Sequence, residues 1–304
     1  MKRSREKKKI KTAGGICGIM TGVCWGLSGV FSQYLFTNTE MQSDWFVAVR
    51  MLVSGLCMML YCLASKGEEI KLLFQSKRDL IRCILSGILG TMLFQFSCYG
   101  AVQKSNAATA IVLQYLCPVM VMVYLCLKSC KLPKRREALS LVLAVVGIFF
   151  IATHGNIHKL VITKDALFWG IGCAFFMSVG TVLPKPLYER YSTQTITSVS
   201  LFFGGAVAGI VVNPFSDAPV LGKTAMAALL AAILLGSIVA YIVYAAAIKW
   251  IGPAYASLFA CVEIPTATVL SVLFLGSRFT GMDLIGFVLI ALPIFLLLRE
   301  NNAD

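Results

Sequence analysis

Apolar residues run along this chain in long blocks, without the alternation of a half-buried strand and without the narrow stripe of a surface helix. Ten blocks stand out, at about 12–35, 45–65, 80–102, 106–127, 136–153, 165–187, 194–213, 223–248, 253–275 and 281–298. A hydrocarbon layer of roughly 30 Å is crossed by about 20 residues of helix. Helices also satisfy their own backbone hydrogen bonds, which lipid cannot do for them. The pattern therefore predicts an all-α integral membrane protein with ten transmembrane helices. The polar stretches between blocks are too short to form a soluble domain.

The blocks fall into two sets of five, 12–153 and 165–298, divided near "HGNIHKLVITKD" (His154 to Asp165). "CWGLSGVFSQYLF" from Cys24 matches "FMSVGTVLPKPLY" from Phe176 in its small residues and chain character. "CYGAVQKSNAATAIVLQYLCP" matches "VYAAAIKWIGPAYASLFACVEIP", pairing Tyr99 with Tyr244, Lys104 with Lys249 and Pro118 with Pro265. "GIFFI" at Gly147 then matches "PIFLL" at Pro293. Correspondences that keep their order amount to an internal repeat. With an odd number of spans per copy, the second copy enters the membrane from the opposite side, so the repeats are inverted. Secondary transporters are built this way, with the binding site at the repeat interface near the bilayer midplane.

Composition agrees with a membrane protein. Of 304 residues, 58% are hydrophobic and 13% charged, with a mean hydropathy of +0.82, against about 25% charged residues in soluble domains. The net charge of +13 would suit a nucleic-acid partner, but its distribution follows the membrane. With a cytoplasmic N-terminus, twenty-one basic residues fall in inside segments, five in outside loops, and Arg50 within a span. This positive-inside bias places both termini in the cytoplasm and the protein in the cell membrane, and makes "MKRSREKKKIK" a topology signal with no nucleic acid implied. The first block is too long for a secretory h-region and no A-x-A site follows it, so no cleavage is expected. The 11 cysteines contain no C-x-x-C pair and read as small hydrophobes. His154 and His158, four apart in a loop, read as solvated. With no H-E-x-x-H and no phosphate-cradling glycine loop, neither an enzyme nor a metal or other cofactor is expected. Transport would then be facilitated or driven by an ion gradient.

Candidate chemistry lies where polar residues interrupt the blocks. Counting ten residues from Pro253 at ~1.5 Å each puts Glu263 near the midplane, where a charged carboxylate costs about 2.5–3.5 kcal/mol unless it faces a cavity or a partner. Pro265 cannot donate to the Cys261 carbonyl, so the two residues together resemble a discontinuous transporter helix. Pro118 marks the counterpart hinge. Arg50 follows Trp45, a candidate interfacial anchor; it either snorkels outward, guards the outer mouth or binds a carboxylate. Gln95 and Tyr99 in the third block, Gln114 and Tyr115 before Pro118, and Tyr241 and Tyr244 in the eighth need partners that a hydrated cavity would supply. Trp25, Ser28 and Ser178, on the opening spans of the two halves, add an aromatic wall and hydroxyls. Gly14, Gly18, Gly22 and Gly26 recur every four residues and predict close helix packing in the first span.

At "WGLSGVF" from Trp25, "FVAVRMLVSG" around Arg50, "ATAIVLQYLCPV" from Ala108, and "EIPTATVLSVLFLG" followed by "DLIGFVLI", the chain resembles the EamA family of the drug/metabolite transporter superfamily, as two consecutive units. The resemblance implies ten helices, cytoplasmic termini and a central cavity that passes amino acids, nucleosides or organic cations, often outward. One departure is Gly276–Ser277, where many relatives carry a Gly-Glu pair. The expectation is a secondary transporter of a small polar metabolite, an exporter of amino acids or related amines working by alternating access. Alternatives are an organic-cation or drug exporter, a lipid scramblase, or a membrane scaffold that transports nothing. The expected partners are a small-molecule substrate and the lipid bilayer, with proton coupling and a monomeric or homodimeric state left open.

Overall fold

The computed structural model describes residues 2–130, 135–154, 156, 162–216 and 218–300, and all regular structure among them is helical. In chain order these are α1 (Lys2–Asn38), α2 (Ser43–Gln75), α3 (Lys77–Leu85), α4 (Leu93–Lys104), α5 (Ala107–Gln114), α6 (Cys117–Ser129) and α7 (Arg135–Thr153). The second half holds α8 (Lys164–Val182), α9 (Thr193–Val212), α10 (Lys223–Ile233), α11 (Ala240–Ile251), α12 (Pro253–Ala260), α13 (Glu263–Leu275) and α14 (Gly281–Glu300). A π turn at Ser86–Met92 joins α3 to α4, and another at Leu234–Val239 joins α10 to α11. Every apolar block is thus helical. Among the described residues seven helices are long and apolar enough to cross a membrane, and Val142–Thr153, Glu263–Leu275 and Gly281–Leu292 are shorter apolar helices.

The structure departs from the sequence reading in places. α2 continues past position 65, bending at Lys66 (φ −145°, ψ 35°), because Ile70 and Leu73 find buried positions beyond the bend. The two proline-bearing blocks are broken alike: eight residues, a two-residue turn, then thirteen, in α5–α6 and again in α12–α13. Each break falls just before its proline. Pro118 and Pro265 sit in the first turns of α6 and α13, where a missing N–H is tolerated. The Cys261 carbonyl, expected to be free, accepts a tight-turn bond from the Ile264 amide at 3.1 Å. α5 starts at Asn106, whose side chain accepts from the Thr109 amide at 2.9 Å. Asn106→Ala removes this cap and is expected to cost about 1 kcal/mol, read as a lowered melting temperature in detergent.

Glycines bring the two halves together. α2 and α9 run antiparallel: a Cβ on Gly55 would lie 2.7 Å from the Leu201 carbonyl, and one on Gly205 would lie 2.6 Å from that of Met51. α7 and α14 also cross antiparallel, Gly147 against Ile290 and Gly286 against Ile151. The first π turn meets α8 at Gly90 and Gly180; the second meets α1 at Gly236 and Ser28. Ser28 and Gly180 hold the same place in the two matched segments of the repeat read from the sequence. Small residues let backbones approach where lipid offers no hydrophobic drive to association.

Candidate functional site

The glycine stripe of α1 is packed onto the broken helix α12–α13. A Cβ on Gly18 would meet Phe259, one on Gly22 would lie 2.4 Å from the Ala260 carbonyl, and one on Gly26 would lie 3.0 Å from the Glu263 carbonyl. α1 therefore backs the break closely, and Glu263 begins α13 with its carboxylate on the wall of a central cavity. Tyr115, in the break between α5 and α6, donates its hydroxyl to Glu263 Oε2 at 3.2 Å. The two interrupted helices thus meet through this bond.

Arg50 enters the same cavity from α2. It is 4% exposed and does not snorkel outward, because the bundle supplies partners that the sequence does not place beside it. Nε donates to Ser237 Oγ at 2.8 Å, Nη1 to Ser28 Oγ at 2.9 Å and to the Tyr99 hydroxyl, and Nη2 to the Gly236 carbonyl at 3.1 Å. Ser28 in turn donates to the Ala232 carbonyl at 3.0 Å, near the end of α10 and two residues before the second π turn. The guanidinium carbon stands 4.9 Å from the Tyr99 ring centre and 5.9 Å from that of Phe46, within cation–π range. Trp45, meanwhile, donates Nε1 to the Pro214 carbonyl at 2.9 Å. A guanidinium has five N–H groups, and the fifth of Arg50, on Nη2, has no partner among the described residues. Among the described residues no ion pair joins Arg50 or Glu263 to any charged group, including each other.

The cavity measures about 700 Å³, within the size range of small-molecule sites. Trp25, Arg50, Gln95, Tyr99, Gln114, Tyr115, Tyr241, Tyr244 and Glu263 all line it. Trp25 packs against Tyr241 and Tyr244, with centroids 6.0 and 5.2 Å apart. Ser28 stands behind the wall, holding Arg50. Ser178 is also set back, donating to the Cys117 and Ala174 carbonyls at 3.2 and 2.7 Å. Neither Pro118 nor Pro265 lines the cavity; they shape the breaks that do. The sequence reading missed Thr91, Phe94, Tyr188, Thr193, Gln194 and Thr197 on the wall. Thr193, Gln194 and Thr197 share one face at the start of α9, a spacing that was available as a signal but reads as an ordinary polar helix end.

The cavity reaches the end of the bundle where α1 begins, between Tyr188, Thr193 and Gln194 on one side and Ile248 and Ser257 on the other. Near this mouth, Asp79 accepts from Arg190 and the Tyr191 hydroxyl, both at 3.1 Å, and Glu69 from the Ser192 backbone and hydroxyl. The opposite end is buried. There Gly29, Val102 and Ile111 bound the cavity, and one turn beyond Gly29 the buried Gln33 ties three helices. Its Oε1 accepts from the Ala107 amide at 2.9 Å and Ser271 Oγ at 3.2 Å, while Nε2 donates to Ser277 Oγ at 3.1 Å. Ser277, at the place where the family resemblance leads one to expect an acid, is thus a tie for this buried end. His154 is not a solvated loop residue: its Nε2 pairs with Asp283 Oδ1 at 2.9 Å. His158 lies outside the described residues.

Comparison with known proteins adds a family. The EamA-like transporter family model matches residues 12–153 and again residues 165–299. The chain is 29% identical over 288 residues to the uncharacterized inner membrane transporter YicL of Salmonella typhimurium, covering 93% of this chain and 94% of that protein. A crystal structure at 13% identity superposes with a TM-score of 0.64, covering 95% of this chain and 99% of the other, a likeness of fold alone.

Proposed function

The chain belongs to the EamA-like transporter family, and from that premise we propose that it is a secondary transporter exporting a small zwitterionic metabolite, an amino acid above all, by alternating access. The observation that carries this reading is the pair Arg50 and Glu263. They come from different halves, share one cavity wall, and find no ion-pair partner among the described residues. An isolated charge at membrane depth is costly, and a zwitterion brings the complement of both. Its ammonium faces Glu263 and its carboxylate takes the remaining N–H of Arg50.

The mechanism rests on ten membrane passes arranged as two inverted five-helix repeats. Antiparallel contact of the equivalent pairs α2/α9 and α7/α14, and the repeated eight-plus-thirteen break, support that arrangement. With both termini cytoplasmic, as the basic residues favour, the open mouth faces the cytoplasm and the Gln33 tie closes the outside. This is the state that loads an export substrate. Alternation requires the Gln33 tie to part and α11–α12 to close on α9, with α5–α6 and α12–α13 bending at their breaks.

A second reading, an organic-cation exporter, is favoured by the aromatic wall of Trp25, Tyr241 and Tyr244 beside Glu263. Arg50 weighs against it, since a cation without a carboxylate leaves the guanidinium unanswered. The unfilled centre counts against a scaffold, and the enclosure of Arg50 and Glu263 counts against a lipid groove.

The test is counterflow in proteoliposomes across labelled amino acids, organic cations and nucleosides. Saturable exchange of amino acids with little of the other classes is expected. Exchange restricted to organic cations would transfer the assignment to the second reading, and exchange of nucleosides alone would end both.

A further inference from the structure

α2 is longer than the layer it crosses. At ~1.5 Å per residue its 33 residues reach about 50 Å, and the stretch before the bend at Lys66 already covers a hydrocarbon core of roughly 30 Å. The elbow from that bend into α3 therefore lies at the membrane boundary, at the end of the bundle where the cavity opens. Inside, Ile70, Leu73 and Cys83 share a buried cluster with Ile196 and Val199 of α9. The outer face of α3 changes character along its length. Lys77 and Arg78 are exposed and Arg82 half-buried at the elbow end, and the exposed Ile81, Leu85 and Leu89 continue the same face toward the membrane interior. The elbow adds exposed Lys71, Leu72 and Phe74, the last with its ring 6.3 Å from that of Phe203 on α9.

The acids of this stretch are engaged elsewhere. Asp79 is buried and accepts from Arg190 and Tyr191, while Glu69 accepts from Lys66 and Ser192. Glu68, at the bend, is the one acid between Lys66 and Leu89 that stays exposed. Lys71, Lys77, Arg78 and Arg82 form no ion pair among the described residues. Four basic groups thus stand unanswered beside an exposed apolar strip at the level of the lipid headgroups.

We propose that this face is a binding site for an anionic phospholipid, its phosphate met by Lys77, Arg78 and Arg82 with Lys71 across the corner, and its acyl chains laid along Ile81, Leu85 and Leu89. Charge complementarity selects an anion, since a basic residue near an anionic bilayer surface gains binding energy. A zwitterionic headgroup brings its own cation and leaves these groups unanswered. The apolar strip selects a lipid over a free phosphate. Glu69 and Asp79 fasten the same elbow to the segment between α8 and α9, where Tyr188 lines the cavity mouth, so the bound lipid stabilises the elbow that holds this side of the mouth. The site does not depend on which substrate is carried.

The experiment is thermal unfolding of the full chain in detergent with added phosphatidylglycerol, phosphatidylcholine or glycerol phosphate, while native mass spectrometry counts the lipid that stays bound. Phosphatidylglycerol is expected to raise the melting temperature of wild type by about 5 °C at saturation, and the other two additives to change it little. Lys71→Gln, Lys77→Gln and Arg78→Gln together are expected to weaken phosphatidylglycerol about 100-fold, with the melting temperature in its absence unchanged. Should that variant fold poorly, Lys77→Gln with Arg78→Gln replaces it in the same measurement. The same loss of charge at three other exposed basic residues, Lys128, Arg135 and Lys185, is expected to leave the shift and the retained lipid as in wild type. A control variant that loses the lipid as fully as the elbow variant would reduce the effect to overall charge and overturn the site. Equal stabilisation by both lipids, a shift with glycerol phosphate alone, or wild-type retention by the elbow variant overturns it as well.

Discussion

Counterflow of amino acids by Glu263→Gln is expected to fall by about 100-fold or more, with little change in melting temperature. The substitution keeps shape and keeps an oxygen to accept from Tyr115, whose hydroxyl lies 3.2 Å from Oε2. Only the negative charge is lost. Truncating one member of a buried, hydrogen-bonded charge pair costs roughly 3–5 kcal/mol, and each 1.4 kcal/mol is tenfold in an equilibrium. A bound ammonium in the variant has no ion-pair partner among the described residues. Initial rates at several pH values with unfolding measured in parallel provide the check. Exchange at the wild-type rate with the same pH response would remove Glu263 from the mechanism.

The largest stability effect is expected at Gly90. A Cβ there would stand 2.4 Å from Gly180 Cα and 2.9 Å from its amide nitrogen. Both obstacles are backbone, so no side-chain rotation relieves the clash, and α8 must move away from the first π turn. Gly90→Val is expected to cost about 3 kcal/mol or more, seen as loss of monodisperse protein in detergent. Gly67→Ala is the control, since a Cβ at that position meets nothing within 4 Å. A Gly90→Val protein as stable as the control would show that the π turn yields without loss, and the crossing would lose its status as a fixed contact between the halves.

The helices were legible because a hydrocarbon layer admits little else: a block of about twenty apolar residues carries one meaning. The interruptions were less so. Proline announced a distortion in two blocks, but the breaks lie before Pro118 and Pro265, at 115–116 and 261–262, where local turns take up the backbone groups. The π turns carry no sequence mark, since Ser86–Met92 and Leu234–Val239 read as ordinary apolar helix. Their closest neighbours are distant in the chain: Gly180 at the first, and Ser28 and Arg50 at the second.

The site followed the same division. Glu263 was conspicuous because a carboxylate amid apolar neighbours demands an explanation, and Gln95, Gln114 and the tyrosines stood out for the same reason. Arg50 was visible as a charge, but its direction depended on Ser28, Tyr99, Ser237 and Gly236, none within twenty residues of it. Cys98 and Cys173 read as small hydrophobes, and nothing in the sequence places both beside Gln114.

The way Arg50 is moored has an electrical consequence. Four of its N–H groups are taken, by two serines, a tyrosine and a backbone carbonyl, so the guanidinium is a stationary charge and not a gating particle that sweeps through the field. If the cargo is the zwitterion proposed above, carrying it past this fixed charge moves no net charge, and voltage sensitivity of the cycle would then report a proton exchanged at Glu263.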